Sequence, residues 1–285
     1  MNLPLGTFGR DGPPITRLGL GGEGILRTFG REAEAGAVIA EALAAGMTYL
    51  ESARAYAGSE AYYGASLGSR RSDIFLASKA HDRSRRGALA MLETTLRSMR
   101  TDALDLWQLH DVRDYSEIDD WEHPEGAYAA FVEARERGLV RYIGLTGHHD
   151  PAVLRAALER FAFDAVLLPI NPAEGSLDDA FERTVVPAAR ARGMAVIGMK
   201  VFARGLLFDP RAGGITPAEA VAYALSADID AIVLGCDDTA QVAENAAAAA
   251  GFTPLDPAAR AALETRVASV AGALAYYRAP ASSVR

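Results

Sequence analysis

Four titratable side chains lie at or just beyond the ends of three successive apolar runs. They are Glu51 and Tyr56 after TYLE, Lys79 at the end of DIFLASK, and His110 at the end of ALDLWQLH. Any one of them alone is explained equally well as a solvated strand end. If the four groups lie close together, they shift one another's pKa values, as acid–base catalysis requires. The groups are a carboxylate, a phenol, an ammonium and an imidazole.

The four groups have complementary roles in proton transfer. A tyrosine ordinarily has a pKa of about 10, and a nearby ammonium stabilises its phenolate, so we predict Tyr56 as general acid with Lys79 beside it. Glu51 would keep Lys79 protonated, and His110 would orient a substrate carbonyl oxygen. Reduction of that carbonyl also needs a hydride, which no side chain can deliver, so this chemistry predicts a redox cofactor.

Eight short apolar runs must position these residues, and helical segments separate most of them. We predict strands at 18–22, 48–51, 73–79, 103–110, 140–147, 165–171, 194–200 and 231–235, and helices within 31–46, 87–100, 125–138 and 151–162. Strands that are apolar on both faces, each followed by a crossover helix, indicate a parallel sheet covered by helices. Eight such units predict a single α/β domain over 1–285, a (β/α)8 TIM barrel.

Two additions to the barrel are predicted at the chain ends. The start, LPLGTFGRDGPPITRLGLGG, has two extended runs about a Gly-Arg-Asp-Gly turn, which is typical of a β-hairpin. A further helix at about 256–277 would pack outside the barrel, and the tail 278–285 is predicted to be flexible and not to close over substrate. The active site of such a barrel lies at the carboxyl ends of its strands.

Composition restricts the partners. The net charge of −8 and the pI near 5.2 argue against nucleic acid and anionic membranes. The one cysteine, Cys236, excludes an intrachain disulfide and fits a reducing compartment. Without a signal peptide or an apolar stretch of about 20 residues, the chain is predicted to be cytoplasmic, with a small-molecule partner. The oligomeric state is not predicted.

In these motifs the sequence resembles the aldo-keto reductases along nearly its whole length. GMTYLESARAYAGSE at 46–60 is similar to the segment that carries the family's catalytic tyrosine, FLASKAHDR to the strand ending in its lysine, and LDLWQLHDV to the strand ending in its histidine. The resemblance implies that Tyr56, Lys79 and His110 are the catalytic acid, its partner and the substrate-orienting group. Glu51 replaces the family's aspartate, and we expect weakened or retuned catalysis.

The resemblance also implies a nicotinamide cofactor and its contacts. YIGLTGH is similar to the family's cofactor strand, with Thr146 and Gly147 in place of a serine–asparagine pair, so His148 or His149 would fill the space beside Gly147. Leu167 stands where a glutamine is common. By resemblance to the GMK form of the seventh loop, the pyrophosphate would lie along Lys200, Phe202, Gly205 and Leu206, with Arg204 in reach of a phosphate.

The adenosine end departs from the family pattern for NADP. Glu244 and Asn245 match the pair that contacts adenine, but Gly235 and Gln241 stand where lysine and arginine commonly hold the 2′-phosphate. Asp237 and Asp238 add repulsion. The cofactor is therefore NADPH or NADH, with NADH a real alternative.

Three other interpretations remain beside a reductase of carbonyl or alcohol substrates. The first is a Rossmann domain, because GLGGEG at 19–24 matches a dinucleotide-binding motif, although no helix follows it directly. In a barrel, Gly22 would instead let cofactor and substrate approach the backbone. A cofactor-binding barrel without turnover, acting as sensor or scaffold, is a second possibility. A metal-dependent barrel hydrolase is the third, with ligands drawn from Glu51, His110, Asp111, His148 and His149.

Against a metal, adjacent His148 and His149 on an extended segment would point in opposite directions, and we predict no metal ligands. Substrate choice is predicted to lie in the loop 111–126, where Tyr115 and Trp121 would wall the pocket. An equally good interpretation has Trp121 packing the loop onto the barrel. Phe202, Tyr276 and Tyr277 are ambiguous in the same way.

Overall fold

A computed structural model describes residues 2–278 and shows a closed barrel of eight parallel strands. A two-stranded antiparallel hairpin, β1 and β2, precedes it. In chain order the strands are β1 Leu5–Thr7, β2 Pro14–Thr16, β3 Leu18–Gly24, β4 Tyr49–Glu51, β5 Phe75–Ala80, β6 Leu104–Leu109, β7 Val140–Thr146, β8 Ala165–Pro169, β9 Ala195–Met199 and β10 Ala231–Cys236. Strands β3 to β9 pair in sequence order, and β10 pairs with both β9 and β3 to close the barrel. The predicted barrel and hairpin are confirmed.

Helices follow the strands as the alternating pattern predicts. They are α1 Glu32–Ala44, α2 Ser59–Ser66, α3 Arg85–Met99, α4 Tyr115–Asp120, α5 Ala127–Glu136, α6 Pro151–Arg160, α7 Pro172–Gly175, α8 Phe181–Thr184, α9 Val186–Ala191, α10 Pro217–Leu225, α11 Thr239–Ala250, α12 Pro257–Val267 and α13 Ala271–Leu274. Several begin at a side chain that accepts a backbone N–H of the first turn, as Ser84 does for α3 and Asp150 for α6. Within residues 2–278, no helix has both the length and the apolarity needed to cross a bilayer.

The barrel strands separate two apolar cores by simple alternation. On β6, Leu106 belongs to the core inside the barrel, whereas Trp107 belongs to the layer between the strands and the helices. Trp107 stacks on Phe131 of α5, with ring centroids 3.7 Å apart. Because successive residues of a strand face opposite sides, both faces of each strand must be apolar until the strand leaves the core.

The carboxyl-terminal region is less regular than the single helix predicted for 256–277. Helix α12 ends at Val267, and short helical turns lead to Tyr276–Arg278. The Tyr277 hydroxyl donates to Glu174 Oε2 at 3.0 Å, and Arg278 forms an ion pair with Glu174. These contacts hold residues 276–278 against the loop after β8, at the mouth of the barrel. The tail 278–285 was predicted to be flexible, which is wrong for Arg278 because it is ion-paired; residues 279–285 lie outside the described residues.

Candidate active site

Strand alternation brings the predicted catalytic residues into the barrel. Tyr49 and Phe75 lie in the inner core, and Glu51 and Lys79 have the same parity on their strands β4 and β5. Leu106 is likewise an inner residue, and His110 keeps its parity just beyond the end of β6. Since β4, β5 and β6 are neighbours in the barrel, the three polar side chains enter the mouth side by side.

Glu51 and Lys79 form a buried ion pair at the base of the mouth. Lys79 Nζ also donates to the carbonyl oxygen of Ser52 at 2.8 Å, and Glu51 Oε1 accepts the backbone N–H of Gly22 at 3.3 Å. The glutamate side chain therefore reaches the lysine in spite of its extra methylene, as the sequence analysis allowed. The expected retuning of catalysis stays a prediction.

Tyr56 lies in the turn after β4, with its ring packed among cationic and aromatic groups. Lys79 Nζ lies 4.7 Å from the centroid of the Tyr56 ring, and the His110 ring meets it edge to face at 5.7 Å. Arg27, which the sequence analysis missed, places its guanidinium 5.0 Å from the same centroid. In the sequence, only the position of Arg27 shortly after β3, the first strand of the barrel, could have indicated this contact.

The electrostatics of Tyr56 differ from the sequence expectation. Lys79 was expected to lower the pKa of the phenol, but burial raises that pKa well above its ordinary value, and the carboxylates of Glu51 and Glu23 add to the rise. Burial is the largest cause, and the ammonium of Lys79, which is paired with Glu51 and lies 4.7 Å from the ring centroid, does not outweigh it in the free protein. The phenol therefore holds its proton at neutral pH.

His110 is a neutral hydrogen-bonding group in this setting. Burial lowers the pKa of its imidazole well below the ordinary value, and the ammonium of Lys79 lowers it further. A neutral imidazole carries one N–H and one acceptor nitrogen. His110 is thus suited to donate a hydrogen bond and not to act as a cationic acid; its contact with a substrate oxygen stays a prediction.

Two cavities meet at Tyr56. The side groove, with a volume of about 740 Å³, runs from the end of β3 to α11, and the central cavity, of about 770 Å³, opens above β5, β6 and β7. The predicted cofactor residues that line the side groove are Lys200, Phe202, Arg204, Gly205, Gly235, Gln241, Glu244 and Asn245. The central cavity is lined by Lys79, His110 and Thr146, among others.

Comparison with known proteins shows the family of the chain. The profile described as "Aldo/keto reductase family" matches residues 17–217, most of the chain. The chain belongs to the aldo/keto reductase family. Members of this family are NAD(P)H-dependent oxidoreductases.

Individual relatives are more distant. The chain is 27% identical over 220 residues to YqkF, an uncharacterised oxidoreductase of Bacillus subtilis, covering 72% of this chain and 66% of YqkF. It is 32% identical over 116 residues to pyridoxal 4-dehydrogenase of Microbacterium luteolum, covering 39% of this chain and 33% of that protein. The chain thus spans less than two thirds of either relative.

Solved structures share the fold. An aldo-keto reductase of Bacillus halodurans in its holo form has a TM-score of 0.76 at 22% identity, covering 93% of this chain and 97% of that chain. An aldo/keto reductase of Brucella melitensis has a TM-score of 0.73 at 20% identity, covering 93% and 100%. The (β/α)8 barrel is therefore that of the family.

Two residues expected to contact cofactor in this aldo/keto reductase lie outside both cavities. Gly22 is packed against the turn after β4, where an added Cβ would lie 2.5 Å from Ser59 Oγ. Leu206 projects into solvent with 45% of its surface exposed. Leu167, the substitute for the family's glutamine, does line the side groove, with an apolar side chain.

The loop 111–126 lines the central cavity through Asp111, Arg113 and Glu117, and not through Tyr115 and Trp121 as expected. Tyr115 is half exposed on α4, and Trp121 is buried against Phe161, with ring centroids 5.6 Å apart. The packing interpretation of Trp121 is correct. In place of these residues, Tyr276 lines both cavities and Tyr277 lines the central one, so the carboxyl-terminal segment supplies the aromatic wall.

A charged cluster after β6 and β7 also differs from expectation. His148 Nε2 and His149 Nε2 both face Asp111 Oδ1, at 3.3 Å and 2.9 Å. The two histidines were expected to point apart because the strand was thought to continue, but β7 ends at Thr146 and the chain bends. Burial, with the charge of Lys200, lowers the pKa of His148 to about 3.

Proposed function

We propose that this aldo/keto reductase transfers a hydride between a nicotinamide cofactor and a carbonyl or alcohol substrate, with Tyr56 as the proton donor. The proposal rests on the packing of Lys79 and His110 against the Tyr56 ring. Lys79 Nζ lies 4.7 Å from the centroid of that ring, and the centroid of the His110 ring lies 5.7 Å from it. A proton donor, a cation and a neutral hydrogen-bond donor at the junction of two cavities form a site for carbonyl reduction.

The residues of the chain divide the work of proton transfer. A bound nicotinamide supplies the hydride. Neutral His110 donates a hydrogen bond to the carbonyl oxygen, and the Tyr56 hydroxyl gives its proton to that oxygen as negative charge develops there. The resulting phenolate is stabilised by the ammonium of Lys79, which its ion pair with Glu51 holds in position. In the oxidative direction, the phenolate takes the proton back from the alcohol.

The side groove fits an anionic dinucleotide. Lys200 and Arg204 line it, and within residues 2–278 neither forms an ion pair with a carboxylate. The ammonium of Lys200 is half-buried, so an anion bound beside it would offset the cost of its desolvation, and the exposed guanidinium of Arg204 can contact a phosphate. Lys200, Phe202, Arg204 and Gly205 would hold the pyrophosphate, and Glu244 and Asn245 the adenine.

We further propose that NADH binds more tightly than NADPH. At the α11 end, the side groove is lined by Gly235, Asp237, Gln241, Glu244 and Asn245, none of which is basic. The side chain of Gln241 is already engaged, because its Oε1 accepts the backbone N–H of Asp237 at 2.9 Å. A 2′-phosphate at this end would meet carboxylates and no cation.

The test combines cofactor titration with turnover. NADH and NADPH are titrated by the fluorescence change of the reduced cofactor, and a panel of aldehydes is then assayed with wild type and Tyr56→Phe. We expect Tyr56→Phe to lower kcat by roughly 10²–10⁴-fold, because a general acid contributes that much, with cofactor affinity unchanged.

The matched control is Tyr115→Phe, which removes a hydroxyl from an exposed tyrosine outside both cavities. Its kcat should equal that of wild type. Cofactor binding without turnover of any aldehyde, in wild type, would support the sensor or scaffold in place of the reductase. Equal activity of Tyr56→Phe and wild type would refute the role of Tyr56.

A further inference from the structure

Asp111, His148 and His149 bring three donor atoms together at the rim of the central cavity. One oxygen of Asp111 and one nitrogen from each histidine lie within 4.8 Å of one another. Two ligands that each bind one zinc ion at about 2.0–2.1 Å, at angles between 90° and the tetrahedral value, are about 2.8–3.4 Å apart. The distances from Asp111 Oδ1 to the two histidine nitrogens, 2.9 Å and 3.3 Å, lie in this range.

The backbone around the three residues is held in place by contacts from other parts of the chain. Asp111 has φ of 65°, the left-handed region that non-glycine residues seldom adopt. Arg83 Nη2 donates to the carbonyl oxygens of His110 and Asp111, at 2.9 Å and 3.0 Å, and stabilises this turn. Strain that is maintained by such contacts is concentrated at functional sites.

The loops that carry Asp111 and the histidines are joined to each other. The N–H of Val112 donates to the carbonyl oxygen of Thr146 at 2.8 Å, across the ends of β6 and β7. Gly147 permits this close approach, because a Cβ there would lie 3.0 Å from the carbonyl oxygen of Val112. The donor atoms are therefore organised before any ligand binds, which favours a rigid site.

The second oxygen of Asp111 has its own partner. Arg113 Nε and Nη2 both donate to Asp111 Oδ2, at 3.0 Å and 2.6 Å, and leave Oδ1 to face the two imidazoles. Carboxylates that ligate a metal are usually oriented by such an outer hydrogen bond. Arg113 thus acts as a positioning residue for Asp111.

We propose that Asp111 Oδ1, His148 Nε2 and His149 Nε2 bind one divalent transition-metal ion of the zinc class. Arg113 offsets the charge of the Asp111 carboxylate, and the charge of Lys200 acts on His148. The site therefore has no net negative charge that would attract a metal ion. The affinity must come from the imidazoles, which bind Zn²⁺, Co²⁺ and Ni²⁺ well, whereas Mg²⁺ and Ca²⁺ require oxygen ligands. Water or an oxygen group of a substrate would complete the coordination from the central cavity.

The experiment is independent of the proposed reductase activity. The full chain is treated with a chelator, dialysed, and titrated with Zn²⁺ by calorimetry and with Co²⁺ by visible absorption. We expect one equivalent of each to bind, with Co²⁺ bands shifted from those of the aqueous ion. Mg²⁺ and Ca²⁺ should not bind at this site.

Variants assign the ligands. His149→Gln and Asp111→Asn should weaken Zn²⁺ binding by more than about 100-fold, and Arg113→Gln by roughly 10–100-fold, as for other outer partners. The matched control is His123→Gln, the same change at an exposed histidine of the neighbouring loop, which should bind like wild type. Circular dichroism and thermal unfolding verify that each variant is folded.

Three results would overturn the proposal. They are no binding of Zn²⁺ or Co²⁺ by folded wild type, equal affinity of His149→Gln and His123→Gln, and an unshifted Co²⁺ spectrum. The first result would leave the three residues as a hydrogen-bonded cluster that positions the loops. None of these outcomes bears on hydride transfer, which is measured separately with chelated protein.

Discussion

The two ends of the barrel treat buried polar and aromatic groups in opposite ways. At the amino-terminal end, the hairpin places Phe8 against Phe75 and Tyr142, with ring centroids 4.6 Å and 4.8 Å apart. Acids at that end are paired within the chain, as Asp230 is with Arg190, and Asp230 also accepts the N–H of Val196 at 2.8 Å. The hairpin therefore closes this end over aromatic rings and ion pairs.

At the mouth, aromatic and charged groups face open space. Tyr56 lies at the junction of two cavities, and Lys200 and Arg204 form no ion pair within residues 2–278. The same strands thus end in a closed, packed layer on one side and in the proposed active site on the other, the arrangement that is general for these barrels. Substitutions at the two ends should therefore have separable effects.

The largest expected effect comes from removing the buried ion pair of the mouth. We expect the double variant Lys79→Met with Glu51→Leu to lower kcat by roughly 10²–10⁴-fold, because the Tyr56 phenolate loses its cation. Its free energy of unfolding should be unchanged or higher by up to about 4 kcal/mol, since apolar replacement of a buried pair spares desolvation. Turnover assays and denaturant unfolding measure both.

Glu51→Leu alone is the control for that variant. It leaves Lys79 buried without its carboxylate and should lower the free energy of unfolding by about 3–5 kcal/mol. A double variant as unstable as this single one would show that the mouth, like the opposite end, is built for stability.

The next largest effect is on stability, at the amino-terminal end. Phe8→Ala should lower the free energy of unfolding by about 3–5 kcal/mol, because it opens a cavity among the inner aromatic rings. The kcat of the folded variant should stay within about twofold of wild type, since the end is remote from Tyr56. Leu5→Ala, at a residue with 66% of its surface exposed in the same hairpin, is the stability control. A large loss of kcat in folded Phe8→Ala would remove the functional contrast between the ends.

A smaller effect is expected where the carboxyl-terminal segment meets the mouth. Tyr277→Phe removes a buried hydroxyl that donates to Glu174 and accepts from Asn171 Nδ2 at 3.1 Å. The free energy of unfolding should fall by about 1–3 kcal/mol, because partners are left unsatisfied. KM should rise more than kcat falls if the segment forms the cavity wall. An unchanged KM in steady-state kinetics would show that the segment only stabilises the barrel.

The smallest effect concerns the adenosine end of the side groove. Gln241→Arg should improve the affinity for NADPH relative to NADH by about fivefold, the equivalent of an exposed ion pair of up to about 1 kcal/mol. Gln241→Met, which alters the same position without adding charge, should leave the ratio unchanged. Fluorescence titration at two salt concentrations measures the ratio, and higher salt should reduce the gain. If Gln241→Arg has the same ratio of NADPH to NADH affinity as wild type, the 2′-phosphate of the cofactor does not bind beside α11.

Much of the barrel and the positions of the candidate catalytic residues could be predicted because strand alternation is a local rule. The apolar runs that contain Phe75 and Leu106 already place Lys79 and His110, each four residues later, on the inner face at or just beyond the ends of their strands. The hairpin was predictable for a similar reason, since its turn composition is local. The placement of Trp121 was not, because its partners Phe161 and Phe163 lie about 40 residues away in the chain.

The sequence by itself determined the eight-stranded barrel and the family, and it placed Tyr56, Lys79 and His110 at one mouth. Tertiary structure alone decided that Lys79 faces the Tyr56 ring while paired to Glu51, that His148 and His149 both turn to Asp111, and that Tyr276 and Tyr277 wall the cavities. The physical reason is that strands obey a two-residue period set by their own backbone. The conformation of a loop is set by contacts from distant segments, such as those of Arg83 with the turn at Asp111.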